Sequence, residues 1–173
     1  MAETVSECRK QVDQLFRTVR DLSLGLRPSM LDDFGLQPAL EWHVRDVTRR
    51  YGIDVELNVE GDFDTLPDRC GTCIYRVVQE ALTNAVRHAR ARSIKVNVVG
   101  DVNRLTISIE DDGIGLDPAR RRDGLGLRGI EERVKELHGN MIIRGYPAAG
   151  TTLTVNLPRP LPAVEKPLAR VAG

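Results

Sequence analysis

Apolar residues in the first part of the chain recur at helical spacing. Between residues 5 and 26 they fall three or four positions apart, which predicts a long helix whose narrow apolar stripe needs a partner helix. The stripe consists of Val5, Cys8, Val12, Leu15, Val19, Leu22 and Leu26. Pro28 ends this helix because its ring removes a backbone hydrogen bond. We expect a short linker (residues 29–35) and then a second helix (residues 36–51), capped by Gly52.

From Gly52 onward, strand patterns alternate with helix patterns. Apolar residues at every second position predict strands at residues 53–59, 94–98, 105–109, 141–144 and 151–157. Helical spacing predicts a long helix over residues 68–90 and a shorter one over residues 127–138. Because short hairpins alternate with helices that must share one sheet face, the pattern predicts an α+β two-layer sandwich with a mixed or largely antiparallel sheet, preceded by an N-terminal helical segment.

The same pattern divides the chain into three parts. Residues 1–51 are helical, and residues 52–158 form the sandwich domain. Residues 159–173 follow as a proline-rich tail that we expect to be disordered. Trp42, on the second helix, is expected to pack that helix onto the domain.

Composition narrows the class of protein. The 25 Lys and Arg residues balance 25 Asp and Glu residues, so the chain lacks the basic surplus of a general nucleic-acid binder. No apolar run approaches the roughly 20 residues of a membrane-spanning helix. Three cysteines, an odd number, favour a reducing compartment over a disulfide scaffold. These features predict a cytoplasmic chain with no membrane segment and no direct contact with nucleic acid.

Polar residues form a ridge on the long predicted helix. Glu80, Asn84 and His88 lie four positions apart and are flanked by alanines, so the ridge either faces solvent or lines a cavity. After the strand at 105–109 comes Asp111, followed closely by Gly113 and Gly115. A carboxylate accepts hydrogen bonds and cannot donate them, which suits the exocyclic amine of adenine. The two glycines let the backbone approach a flat base, although a plain Asp-Gly turn is the simpler alternative.

Two further elements are weaker when each is taken alone. Residues 124–129 (GLGLRG) fit the spacing of a dinucleotide-binding loop, but the preceding residues 120–123 are arginines and an aspartate instead of a strand. No protein-kinase motif follows either. The interpretation that is left is a glycine-rich stretch directly before a helix. The free N–H groups at the start of a helix suit phosphates. Thr151 begins the last strand and could hydrogen-bond a base, although threonine is common in strands.

The ridge, the Asp-x-Gly-x-Gly motif, the glycine-rich stretch and the Gly-Thr-Thr motif occur in a fixed order. Residues 53–158 thereby resemble the ATP-binding domain of sensor histidine kinases, which has the Bergerat (GHKL) fold of gyrase, Hsp90 and MutL. Residues 76–89 (RVVQEALTNAVRHA) are similar to the N-box of the subfamily that is paired with NarL/LuxR-type response regulators. Residues 26–36 (LRPSMLDDFGL) resemble the linker after that subfamily's dimerisation helices.

The resemblance implies a role for each matching residue. Asn84 would ligate Mg²⁺ through its amide oxygen, and Glu80 would be the catalytic residue beside the metal and its waters. Asp111 would bind the adenine amine, with the base pocket completed by Gly113, Gly115 and Thr151. The resemblance implies a lid around the phosphates, formed by Gly124, Gly126 and Leu127. It also implies two basic side chains near the phosphates, Arg87 and His88. The implied cofactors are ATP and Mg²⁺, and the implied partners are a NarL/LuxR-type response regulator and a second copy of the intact kinase.

The chain departs from that family in its histidines. The family's phosphoacceptor histidine is followed by an acidic residue on the first dimerisation helix, whereas His43, His88 and His138 are followed by Val, Ala and Gly. We therefore expect a fragment that binds ATP, donates its γ-phosphoryl group to a histidine outside this chain and does not phosphorylate itself. The alternatives are an anti-sigma-type protein Ser kinase of the same superfamily and a non-catalytic nucleotide-sensing module.

Some questions stay open at the level of sequence. Cys70 and Cys73 have the spacing of a redox or zinc pair, but no second pair or thioredoxin-like context accompanies them. The sequence also leaves open the signal sensed, the cognate regulator, and whether the parent protein is membrane-anchored or this fragment dimerises.

Overall fold

A computed structural model of the chain describes residues 29–115, 125–145 and 147–160. The helix predicted at residues 5–26, the lid residue Gly124 and the tail beyond residue 160 lie outside these ranges. No helix of the described residues is long and apolar enough to cross a membrane.

Helices and strands alternate along the described chain as the sequence pattern predicts. The elements are α1 (Ser29–Phe34), α2 (Leu36–Tyr51), β1 (Asp54–Glu60), α3 (Asp68–Asn84), β2 (Ser93–Gly100), β3 (Arg104–Asp111), α4 (Leu125–Glu136), β4 (Asn140–Gly145) and β5 (Thr151–Pro158). One π-helical turn, Ala85–Ala89, follows α3 without a break. The long helix predicted to end near residue 90 is therefore α3 plus this turn.

The five strands form one mixed sheet in the order β1-β2-β3-β5-β4. β1 and β2 are parallel, and every other neighbouring pair is antiparallel. Buried and exposed residues alternate along β2 and β3, so one sheet face carries the core and the other faces solvent. This mixed two-layer α+β sandwich confirms the predicted fold class.

The core lies between the sheet and the apolar face of α3. Fully buried aliphatic side chains from α3 (Ile74, Val77, Val78 and Leu82) meet those of the central strands (Val96, Val98, Ile107 and Val155). Aromatic residues are scarce, so Val, Ile and Leu supply the packing. Burying each such side chain contributes roughly 1.5–3 kcal/mol.

α2 belongs to the same core as the sandwich domain. Its buried residues, Leu36, Ala39, Leu40, Val44 and Val47, pack into one cluster with those of α3 and the sheet. Gly52 ends α2 in the left-handed conformation, and its N–H donates to the Thr48 carbonyl at 2.9 Å. The predicted helix and its glycine cap are thus both present.

The linker predicted at residues 29–35 contains the short helix α1, which is held in place because Leu31 is buried in the domain core. One expectation about this region is wrong. Trp42 is 44% exposed, because the core-facing positions of α2 are taken by Ala39, Leu40 and Val44. These aliphatic residues, and not the indole ring, attach α2 to the domain.

Arg159, the residue after β5, is hydrogen-bonded to other parts of the domain. The Arg159 N–H donates to the Asn103 carbonyl at 2.8 Å. Its guanidinium also donates to the Asp101 carbonyl at 3.1 Å and the Asp62 carbonyl at 2.5 Å. Arg159 therefore ties the end of β5 to the β2–β3 turn.

His43 on α2 contacts Tyr75 on α3. Its ring centre lies 5.7 Å from that of Tyr75, and its Nε2 atom is buried without a hydrogen-bond partner. Burial lowers the pKa of His43, Asp46 raises it by a smaller amount, and Arg50 lowers it further. Proton uptake by His43 thus opposes the packing of α2 on α3.

We predict that acidification weakens the fold through His43. Its pKa in the folded state lies below the unfolded value of 6.5, so between these two values the unfolded chain binds more protons. The free energy of unfolding should therefore fall as pH drops through 6.5 towards the folded-state pKa. Denaturant unfolding at pH 7.5 and 5.5 measures this loss. The His43→Phe variant should show a smaller loss, and an equal loss in both proteins would contradict the prediction.

Candidate nucleotide-binding site

Several elements converge at one end of the domain. The beginning of α3 (residues 68–73) and the end of α4 with the residue that follows it (residues 133–137) line one cavity, as expected for two helices that run antiparallel. The C-terminal end of α3, with Glu80 and Asn84, therefore lies at the same end as the N-terminus of α4. The backbone contacts described below bring the end of β3 and the start of β5 to this end as well.

Asp111 is the central side chain of this site. It is the last residue of β3, and its position in the alternation matches that of Leu105, Ile107 and Ile109, which face the core. Its carboxylate accepts the Gly113 N–H at 2.9 Å, and it also accepts the N–H and the hydroxyl of Thr151. These donors come from its own loop and from β5, so the carboxylate has a fixed orientation.

Burial and hydrogen bonding act on Asp111 in opposite directions. Burial raises the pKa of Asp111, while the bonds from Gly113 and Thr151 lower it, and burial has the larger effect. A carboxylate in such a pocket is less hydrated than one on the surface, so it gains more from a donor that a ligand supplies. Asp111 is therefore suited to accept a hydrogen bond from a buried amine.

Gly113 and Gly150 allow the backbones around Asp111 to approach one another. A Cβ on Gly113 would lie 2.3 Å from the Ala89 carbonyl oxygen, and one on Gly150 would lie 1.9 Å from that of Asp111. Gly150 also has a φ of +74°, which side chains rarely tolerate. Its N–H donates to the Gly113 carbonyl at 3.0 Å. Both positions therefore require glycine.

The π-helical turn joins α3 to the loop after β3. The Ala89 carbonyl at its end accepts the Ile114 N–H at 2.8 Å. Such a turn changes the hydrogen-bond pattern of the helix and is frequent at functional sites. Asn84 and Ala89 are five residues apart, roughly 7 Å along a helix axis, so this contact fixes the distance between Asn84 and the Asp111 loop.

The remaining predicted site residues lie on α3, the π-helical turn, α4 and the loop after β3. Glu80 and Asn84 are half-buried at the end of α3, and Arg87 and His88 are exposed on the π-helical turn. Gly126 and Leu127 lie in the first turn of α4, which begins two residues earlier than predicted. Gly115 has a φ of +75° and ends the first described range, whereas Gly124 lies outside the described residues.

Two cavities lie at the opposite end of α3 from this site. They have volumes of ≈ 300 and ≈ 190 Å³, and both are lined by Arg69, Glu136 and Leu137. Cys73 borders the larger cavity and Cys70 the smaller one. Both thiols are free and buried, and burial raises the pKa of Cys73 to about 12. Burial raises the pKa of Cys70 as well, and a raised pKa lowers the fraction of reactive thiolate at neutral pH.

Sequence reasoning missed two contributors to the site. Gly150 belongs to the Gly-Thr-Thr motif, but the motif does not show that the Gly150 backbone packs against that of Asp111, and Ala89 acts through its carbonyl, which residue type does not reveal. The signal for Gly150 was its position immediately before Thr151, in a turn that must pass close to the Asp111 backbone. No sequence signal marks the Ala89 carbonyl.

Comparison with known proteins agrees with this geometry. Residues 71–161 match the family described as histidine kinase-, DNA gyrase B- and HSP90-like ATPase. A sensor histidine kinase MctS from Rhizobium johnstonii is 35% identical over 99% of this chain and 37% of its own length. DegS from Brevibacillus brevis, a signal transduction histidine-protein kinase/phosphatase, is 34% identical over 89% of this chain and 40% of its own length. The chain thus spans about two fifths of the length of these relatives.

Solved structures show the same fold. The histidine kinase domain from the Erythrobacter litoralis EL346 blue-light activated histidine kinase has a TM-score of 0.57 and 25% identity, covering 69% of this chain and 59% of that chain. The Acinetobacter baumannii histidine kinase AdeS has a TM-score of 0.63 and 19% identity, covering 88% and 82% of the two chains. The fold and the family match define an ATP-binding α+β sandwich. This chain belongs to the histidine kinase, gyrase B and HSP90-like ATPase family.

We predict that Gly113→Ala disturbs this site more than the rest of the fold. The added methyl group would overlap the Ala89 carbonyl and lie 2.6 Å from the Ala89 Cβ, so the loop that carries Asp111 must move. ATP affinity, measured by calorimetry, should fall at least about tenfold, a loss of about 1.4 kcal/mol. The control is Gly71→Ala, because a Cβ there meets nothing within 4 Å. Equal affinities in the two variants would contradict the prediction.

Proposed function

We propose that this chain is the ATP- and Mg²⁺-binding catalytic domain of a two-component sensor histidine kinase. The observation that carries the proposal is the half-buried Asp111 carboxylate, fixed by Gly113 and Thr151 beside the end of the helix that carries Asn84. Family membership supports ATP as the ligand. The relatives MctS and DegS, both named as histidine kinases, support phosphoryl transfer as the activity.

Adenine recognition would rest on Asp111. A carboxylate offers only acceptors, so it pairs with the exocyclic amine of adenine and repels the carbonyl that guanine carries at the same position. Thr151 would hold the carboxylate in place. Gly115 would leave room for the flat base, because it has no side chain, whereas the absence of a side chain at Gly113 allows the close approach of Ala89. The pocket should therefore select ATP over GTP.

Magnesium would be held by few protein ligands. The described residues contain no group of three or more His, Cys, Asp and Glu side chains that could hold a metal ion. Asn84 offers a half-buried amide oxygen one turn after the half-buried Glu80. Mg²⁺ prefers such oxygen ligands and commonly completes its shell with phosphate oxygens and water. The residues present fit this ion, which when bound neutralises phosphate charge.

The chain's own groups would position the triphosphate. The first turn of α4, with Gly126 and Leu127, has backbone N–H groups that no earlier helical turn can satisfy, and these suit phosphate oxygens. Arg87 and His88 lie exposed on the π-helical turn near Asn84. Gly124 would belong to the lid that precedes α4. Glu80 would orient a water molecule or a proton near the metal.

The phosphoryl acceptor would be a histidine of the intact kinase. Its imidazole nitrogen would form the new bond to the γ-phosphorus as the bond to the β,γ-bridging oxygen breaks and ADP leaves, while an adjacent acid takes the imidazole proton. His43, His88 and His138 lack such an acidic neighbour in sequence. The phosphorylated kinase would pass the group to a NarL/LuxR-type response regulator and would act as a homodimer, in the cytoplasm.

The experiment that tests this function is nucleotide binding by the chain alone. We predict that ATP with Mg²⁺ raises the unfolding temperature, because a ligand that binds only the folded state stabilises it. GTP should raise it far less. Asp111→Asn should lose most of the ATP effect, since an amide can present a donor to the adenine amine.

Asp62→Asn is the matched control, because Asp62 is an exposed aspartate in the β1–α3 connection, outside the site. It should respond to ATP as the unaltered protein does. Equal stabilisation by ATP and GTP, or an unchanged ATP response in Asp111→Asn, would contradict the proposed pocket.

A further inference from the structure

We propose that Asp112 is the positioning residue of the adenine pocket. Its carboxylate clamps the loop after β3 onto the beginning of β2 and so holds the neighbouring Asp111 in its binding orientation. The inference rests on the proposed function, because it concerns the same pocket.

The hydrogen bonds of Asp112 carry the inference. Its Oδ1 atom accepts the Arg92 N–H at 2.7 Å and the Ser93 N–H at 3.0 Å. In the other direction, the Asp112 N–H donates to the Ser93 carbonyl at 3.2 Å. The residue directly after Asp111 is thus joined to β2 by its backbone and its side chain together.

The side chains of Asp111 and Asp112 lie on opposite sides of the backbone. Asp111 has the parity of the core-facing residues of β3, whereas Asp112, one position later, is exposed. Asp112 therefore stays outside the pocket that Asp111 enters and would act on the nucleotide only through its neighbour. It is a positioning residue and not a direct ligand.

The segment that Asp112 holds is itself fixed at both ends. The Arg92 carbonyl accepts the Asp54 N–H from β1 at 3.0 Å, and the Ala89 carbonyl accepts the Ile114 N–H at 2.8 Å. Residues 89–93 therefore connect the π-helical turn to the sheet, and the Asp112 carboxylate attaches the loop after β3 to the sheet end of this connection. Loss of the carboxylate would leave the loop held by the Asp112 N–H, by Ile114 and by the β5 side.

Asp101 provides a matched control at the other end of the same hairpin. Its carboxylate accepts the Asn103 N–H and the Arg104 N–H, both at 2.7 Å. Like Asp112 it is exposed, and bonds from backbone N–H groups lower the pKa of both residues. The strands between them are eight residues long, about 26 Å at the usual strand rise. Asp101 thus accepts two backbone N–H groups as Asp112 does, but within its own turn and far from the pocket.

The experiment compares Asp112→Ala, Asp112→Asn and Asp101→Ala in two measurements. The first is amide hydrogen exchange at Ile114 without nucleotide. Exchange should be faster in Asp112→Ala and unchanged in the other two variants. The second is ATP affinity with Mg²⁺, which should fall roughly three- to tenfold in Asp112→Ala. It should stay within about twofold in Asp101→Ala, and in Asp112→Asn because the amide oxygen can accept both N–H groups.

Unchanged ATP affinity in Asp112→Ala overturns the proposal, as does an equal loss in Asp101→Ala, which would indicate a general effect on stability. A loss in Asp112→Asn as large as that in Asp112→Ala also overturns it, because charge and not geometry would then be responsible. If the unaltered protein binds no ATP, the proposed function fails. The exchange measurement then decides separately whether Asp112 holds the loop.

Discussion

The site depends above all on one group, the half-buried carboxylate of Asp111. Moving a carboxylate out of water is costly unless donors replace its hydration. Gly113 and Thr151 supply such donors, but burial still raises the pKa of the group. The result is an acceptor of fixed direction that stays receptive to one further donor. A surface aspartate, surrounded by water, would gain less from such a donor.

The surrounding backbone is built to keep that carboxylate in place. Close approach at Gly113 and Gly150 is possible only without side chains, and the Ala89 carbonyl links the same loop to the helix that carries Asn84. The proposed metal ligand and the proposed adenine acceptor are therefore parts of one hydrogen-bonded unit. Any movement of α3 relative to β3 would affect both.

Most of the fold could be predicted from local patterns. Alternation along β2 and β3 identified the hairpin, and helical spacing from Ile74 to Ala85 identified the helix that covers the sheet, because both periods follow directly from backbone geometry. Asp111 was also predictable, since a charged residue that continues the core-facing alternation of Ile107 and Ile109 breaks an apolar pattern at a strand end. Its role as an acceptor for adenine remains a prediction.

Features that depend on distant contacts were not predictable. Helix α1 forms because Leu31 meets a core built from later residues, and Trp42 remains exposed because smaller neighbours fill the contact. The π-helical turn has the same residue types as an ordinary helix end. The Ala89 carbonyl at the end of this turn accepts a hydrogen bond from Ile114, which is 25 residues away in sequence. Similarly, nothing in the Asp-Asp pair shows that Asp112 bonds to Arg92 and Ser93.

The most direct measurement of this account is a crystal structure of the chain with a non-hydrolysable ATP analogue and Mg²⁺. The account predicts the adenine amine within hydrogen-bond distance of the Asp111 carboxylate, about 3 Å. It also predicts the Asn84 amide oxygen at about 2.1 Å from the ion. An analogue bound in the cavity between Arg69 and Glu136, or one whose adenine contacts neither Asp111 nor Thr151, would contradict it.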